Sequence, residues 1–166
     1  MYTHSTAHQA AHAKVVAPVA APEGDMITVP TMFGPMTFAR DALLTLPAGL
    51  IGMPGKKTFG LGDMPDASYG NFKLLQCIEQ PELAFLVLPL EFLPDRIGAA
   101  DVAEALTALA VPAEQAALLL IVTARKNDGH VTLTANLRAP VVVNRKERVA
   151  RQYVMPNSAY EIRHVL

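Results

Sequence analysis

The stretch TLTANLRAPVVVNRKERVARQ, Thr132 to Gln152, carries the pattern that decides the fold. An Asn, an Ala-Pro pair, three valines and a second Asn sit between segments in which polar and β-branched residues alternate. A period of two marks a half-buried strand, not a helix. Pro140 has no N–H to give a ladder, so it opens a strand or lies on a sheet edge. Val141 to Val143 form a short apolar strand, and Asn144 ends it because Asn tolerates the left-handed backbone that a tight turn needs. Arg145, Lys146 and Glu147 make the solvated tip of that turn. Beyond it Val149, Tyr153 and Met155 restart a strand whose alternate residues include Arg148 and Gln152.

The same grammar extends upstream. Asn127-Asp128-Gly129 is a hairpin turn between an apolar run, Leu118 to Ala124, and Val131 to Thr134. Ala84 to Leu88 reads as a central strand, preceded across a Pro81-Glu82 turn by a strand from Leu74 to Ile78. Lys57 to Leu61 is another strand, and a loop runs from Gly62 to Asn71. Leu43, Leu44 and Leu46 lead into Pro47, Gly49, Gly52, Pro54 and Gly55, too many breakers for helix or strand, so this is an irregular, partly buried loop. Ordered structure begins at Met26, where Ile27 and Val29 alternate with Thr28 and Pro30, and Phe33-Gly34-Pro35 turns the chain into Met36 to Phe38. That is an opening hairpin.

One helix stands out, from about Val102 to Ala110: Asp101 is placed to cap it, Glu104 follows, and Val102, Leu106 and Leu109 share a face, with Pro112 as the stop. Ala113 to Gln115 makes a further helical turn. Asn157 and Ser158 turn the chain into a last segment, Tyr160 to Val165. The pattern is thus about eight to ten short strands with one or two short helices and no regular strand–helix alternation, which means a mainly β, antiparallel fold. Closure into a barrel, or stacking of two sheets, hides the edges of so many short strands. No internal repeat is visible.

A chain of 166 residues, 51% of them hydrophobic, is long enough to bury a core as one domain without metal or disulfide. Its single cysteine, Cys77, fits a reducing cytoplasm. The formal charge of −1 supplies no global field toward nucleic acid or anionic lipid. No apolar run approaches the ~20 residues of a spanning helix, so a soluble protein is expected, with no membrane partner. Residues 1–24 are rich in Ala, His and Pro, have too little apolar bulk to offset the entropy of ordering, and read as a disordered tail ahead of a domain at 25–166. Within that tail His4, His8 and His12 recur every four residues, but no Asp, Glu or Cys completes a metal site.

Catalysis requires convergent groups. There is no phosphate-binding Gly-rich loop, no nucleophile elbow, no HExxH and no cysteine pair for zinc, and Gly60-Leu61-Gly62 lacks the third glycine of a nucleotide fingerprint. Glu79, Glu82, Glu91 and Asp95 read as loop and turn acids facing water, and His130 and His164 have no partners nearby in sequence. No catalytic residue, cofactor or metal is expected. The basic residues Arg138, Arg145, Lys146, Arg148 and Arg151 are the one feature that suggests chemistry, because residues of one parity on adjoining strands share a face and line up toward phosphates. Against direct RNA binding stand the absence of Trp and the sparse aromatics among them.

Five motifs in one order carry a resemblance: GLIGMPG (Gly49 to Gly55), LLQCIEQPELAFLVLPLEFLPD (Leu74 to Asp95), IVTA (Ile121 to Ala124), the central stretch, and the closing YEIRHVL. Together, over roughly Met26 to Leu166, the chain resembles the flagellar assembly factor FliW family. The resemblance implies a compact, antiparallel β-barrel-like sandwich and a non-enzymatic cytoplasmic adaptor, monomeric when free. Such an adaptor binds the translational regulator CsrA, relieves its repression of flagellin translation, and binds flagellin. Among the positions that match the family, Gln76, Asn136, Asn144 and Gln152 are the best candidates for partner contact, since an amide satisfies either a turn or a partner's backbone; Arg138 and Tyr160 join them. Met53 and Cys77 depart from the aromatic and the Ser expected there. The pI of about 6.5 is less acidic than the resemblance implies.

Overall fold

The computed structural model describes residues 24–166. Residues 1–23, with His4, His8 and His12, lie outside the described residues. The chain begins with the hairpin β1 (Met26–Thr31) and β2 (Gly34–Ala39), joined at Met32 and Phe33. Then follow β3 (Leu44–Thr45), β4 (Thr58–Asp63), β5 (Lys73–Cys77) and β6 (Ala84–Pro89). After the single α-helix among the described residues, α1 (Ala99–Ala108), come β7 (Ala116–Asn127) and β8 (His130–Ala135). The chain closes with β9 (Val141–Asn144), β10 (Val149–Gln152) and β11 (His164–Val165). Short 3-10 turns fill several connections, among them Ala113–Gln115 as the sequence implied.

Nine of these strands form one sheet in the order β11-β8-β7-β6-β5-β4-β3-β10-β9, and β9 pairs back onto β7. Strands β3 to β7, β9 and β10 therefore make a closed ring, with β8 and β11 outside it as a flap on the far half of β7. The pairings are antiparallel except β10 on β3, where Val149 stands opposite Thr45. Closure removes the exposed edges that short strands would otherwise leave to solvent.

The long β7 makes this possible. One of its edges takes β8 through Val122 to Asn127 and β9 through Ala116 to Leu119. Between Ala135, opposite Val122, and Val141, opposite Leu119, the strand partner carries five residues, 136–140, against two of β7. The surplus bends the chain at Pro140, which opens β9 as expected. One amide still holds the kink to β7, since the Asn136 N–H donates to the Ile121 carbonyl at 2.9 Å.

Inside the ring, Leu44, Leu46, Phe59, Leu75, Val87, Leu119 and Val141 form the main core. A second cluster, with Leu120, Val122, Leu137 and Met155, lies under α1 and the C-terminal segment. The β1–β2 hairpin packs on the outside of β4. A Cβ at Gly60 would stand 2.6 Å from the Phe38 ring, and one at Gly62 the same distance from the Met36 methyl. The Gly-Leu-Gly of β4 is thus a seat for an aromatic ring.

Several local expectations need correction. The helix starts at Ala99, not Val102, with Gly98 at its N-cap and no side-chain cap, so Asp101 is a first-turn residue. The reason is distant: the Tyr160 hydroxyl accepts the Gly98 N–H at 2.8 Å and donates to the Asp101 carboxylate. At its other end the helix stops before Ala110, which takes the left-handed conformation (φ 54°) while the Val111 N–H reaches the Leu106 carbonyl at 2.9 Å. Asn144 stays in the β9 ladder, and the left-handed residue of the following turn is Arg148 (φ 57°). β10 ends at Gln152, although the Tyr153 and Met155 N–H groups still reach Pro140 and Arg138 carbonyls. The last segment is mostly irregular, with only His164 and Val165 in strand pairing.

Because the Phe38 ring cannot retreat as a flexible side chain would, Gly60→Ala is expected to lower the unfolding free energy by about 1–3 kcal/mol. Urea unfolding measures it. An unchanged midpoint would mean that the hairpin does not pack on β4 in solution.

Candidate functional site

Three of the six candidate residues meet at the kink that the β7 pairing creates. Asn136 precedes the bend, and its Oδ1 accepts the Ala139 N–H at 3.0 Å. Gln152, at the end of β10, donates its Nε2 to the Ala139 carbonyl at 3.0 Å. Both backbone polar groups of one residue, Ala139, are thus held by side-chain amides. The Gln152 Oε1 also accepts the N–H of Ile51 at 2.9 Å, which ties the irregular loop after β3 to the same point. Ile51 is left 59% exposed at the tip of that loop. Arg138 lies in the bend, half-buried, with its Nε buried and without a hydrogen-bond partner among the described residues.

The other three are elsewhere. Asn144 ends β9, and its Oδ1 accepts the N–H groups of Lys146 and Glu147 at 3.1 and 3.0 Å. Gln76 is fully buried on β5, where its Nε2 serves the carbonyls of Cys77, Pro81 and Leu83 while Oε1 has no partner among the described residues. It stands opposite Gly60, on the strand face that the hairpin covers. Tyr160 locks the C-terminal segment to α1, and its hydrogen bond to Asp101 raises the phenol pKa. These polar groups lie inside the molecule or across its seams.

The basic residues divide in the same way. Arg145, Lys146 and Arg148 stand exposed on the β9–β10 turn, with the Arg145 guanidinium donating to the Glu114 carbonyl at 2.9 Å. Arg138 is at the opposite end of β9, so the five do not form one stripe. A cleft of about 650 Å³ opens between α1 and the sheet, bordered by Lys73, Leu90, Glu91, Asp95, Leu106 and Arg145. Its Lys73 is paired with Asp63. No group of three or more His, Cys, Asp or Glu is placed to hold a metal among the described residues.

Two partnerships were invisible in the sequence. Glu79 accepts the N–H groups of Lys57 and Thr58 at 2.9 and 3.2 Å, so one of the water-facing acids pins the start of β4. Burial works to raise its pKa, but those donors outweigh it and hold the carboxyl below its ordinary value. Burial likewise pushes the Cys77 thiol up, away from thiolate chemistry. His164, expected to lack a partner, lies 2.8 Å from the Glu161 carboxylate.

The family described as FliW protein matches residues 28–166. The flagellar assembly factor FliW of Heliobacterium modesticaldum is 33% identical over 81% of this chain and 86% of its own length. That of Clostridium botulinum is 29% identical over 85% of this chain and 98% of its own. A crystal structure of the flagellar assembly factor FliW superposes with a TM-score of 0.67, at 26% identity, covering 83% of this chain and 95% of that one.

Asn144→Ala strands two turn N–H groups and is expected to cost about 1–3 kcal/mol of stability, readable by urea unfolding. Stability intact with only partner affinity reduced would place this amide on a contact surface instead. For Glu79, whose ordinary pKa is 4.5, the depressed folded value gives a stabilising contribution that is complete above pH 4.5 and fades as pH falls through the folded value. Glu79→Gln should therefore flatten the acid side of the stability–pH curve, and a curve that keeps its slope would contradict the assignment.

Proposed function

The chain belongs to the FliW family of flagellar assembly factors, and from that premise we propose that it is an adaptor coupling flagellin supply to flagellin synthesis. It binds the translational regulator CsrA and so relieves repression of flagellin message; free flagellin occupies the adaptor and releases CsrA. The observation that carries this reading is the family match from residue 28 to 166, which spans the sheet from its first strand to its last. The task needs no catalytic group. Two ligands that exclude one another compete by mass action, and the winner is set by concentration relative to dissociation constant.

In this reading the functional unit is residues 25–166, acting in the cytoplasm as a monomer when free. Among the described residues no helix is long and apolar enough to cross a membrane. Gln152, Asn136 and Tyr160 serve binding through what they hold: the Ile51 loop, the kink and the C-terminal segment. Arg138, beside that clamp with an unused donor, supplies a direct contact.

An electrophoretic shift experiment tests this against direct RNA binding by the cations of the β9–β10 turn. The protein should leave flagellin leader RNA unshifted, abolish the shift that CsrA produces, and lose that effect when flagellin is added. A shift by the protein alone that weakens steeply with salt, through release of condensed counterions, together with no effect on CsrA, would overturn the adaptor reading.

A further inference from the structure

The β1–β2 hairpin is held to the molecule differently from every other strand. It forms a two-stranded sheet of its own, and its hydrogen bonds are internal. The Thr28 and Thr37 hydroxyls bond to each other at 2.8 Å, and the Thr31 hydroxyl serves the Gly34 carbonyl and the Phe33 N–H. At the base the Asp25 carbonyl accepts the Arg40 N–H, and the two side chains pair at 2.9 Å. Among the described residues, no hydrogen bond or ion pair of Met26 to Ala39 crosses to the nine-stranded sheet.

Side-chain packing alone attaches it. Phe38 and Met36 lie on Gly60 and Gly62 of β4, and Phe33 near the tip meets Tyr69 edge-on, with ring centroids 5.6 Å apart. Leu74 and Gln76 stand opposite Gly62 and Gly60 and so share the covered face. Val29, Phe38 and Leu74 are buried, yet none belongs to the apolar clusters inside the ring or under α1. The hairpin thus closes a thin apolar layer apart from the core, and it does so over an unpaired acceptor, the Gln76 Oε1. An acceptor buried without a donor penalises the closed form, and water satisfies it once the cover is gone.

We propose that the hairpin is a strap, which lifts off β4 and β5 as one piece on the short tether Arg40–Leu43 and leaves the ring intact. The strap carries its hydrogen bonds with it, so lifting breaks no ladder, whereas detaching any strand of the ring breaks one. Opening bares Gly60, Gly62, Leu74 and Gln76, a face that the closed form withholds from solvent. This inference goes beyond the adaptor reading and requires neither CsrA nor flagellin.

Thiol labelling of the full-length protein with dithiobisnitrobenzoate reads the opening, because a buried cysteine reacts only when its cover leaves. Cys77, fully buried in the ring core, reports unfolding of the ring. In a Cys77→Ala background, Val29→Cys reports the strap from its own covered side and Leu74→Cys from the sheet side. Both should react on the order of a hundredfold faster than Cys77, as a local opening does relative to a global one. Their rates should rise only slightly with urea, since that slope scales with the surface exposed, while the Cys77 rate follows the slope of global unfolding. Val141→Ala, which weakens the ring core, should speed Cys77 labelling about tenfold and leave both strap reporters unchanged. Phe38→Ala should speed the strap reporters by about the same factor.

If either reporter fails to fold, the other carries the test. Strap reporters that react at the rate of Cys77 with its urea slope, or that Val141→Ala speeds equally, would show that the hairpin leaves only with the whole domain and overturn the proposal. Reaction at the rate of a free thiol would overturn it too, since the strap would then have no closed form.

Discussion

The structure depends on one edge of one strand being shared. β7 must accept β8 and β9 in line on the same side, and an unbroken partner would do so as a single long strand. The surplus residues at 136–140 break that line. They let β9 turn inward to β10 and close the ring, while β8 continues outward. Every strand but β7 is short, and the sheet closes through a local bend that changes its direction. The energetic requirement that follows is strict, because a bend inside a sheet frees backbone groups that burial then penalises. Asn136 and Gln152 meet it by taking the N–H and the carbonyl of Ala139.

The placement of amides follows the same logic elsewhere. Asn144 accepts the two N–H groups that begin the β9–β10 turn, and Gln76 serves the carbonyls around the Pro81 turn. A side-chain amide is short, uncharged and able both to give and to accept, so it satisfies backbone where a charged group would cost too much to bury. The Ile51 loop is positioned by such an internal bond, and its tip is left exposed.

What the sequence made legible were features with local causes. The β9–β10 hairpin follows from Pro140, three valines and Asn144; the turn at Asp128 and Gly129 takes left-handed backbone at both (φ 49° and 85°), as the residue types demand. The helical turn at Ala113–Gln115 and the opening hairpin were equally local. Features with distant causes were hidden. The start of α1 depends on Tyr160, 59 positions beyond Asp101, and the seat for Phe38 depends on glycines that read as a failed motif. Asn136, Asn144 and Gln152 were legible as important positions, but whether an amide faces inward or outward is settled by packing that no local pattern encodes.

Ring closure joins parts of the chain made far apart in time. Ile51 and Gln152, which bond across the seam, are 101 positions apart, and the parallel β3–β10 pair spans a similar interval. Contacts of such separation slow folding, since a large loop must close before they contribute. On the ribosome the domain cannot complete its ring until β10 has left the exit tunnel, close to the end of the described chain. Until then β3 and β4 wait as an open sheet with an apolar inner face, the condition in which nascent β proteins are most exposed to aggregation and most dependent on chaperones.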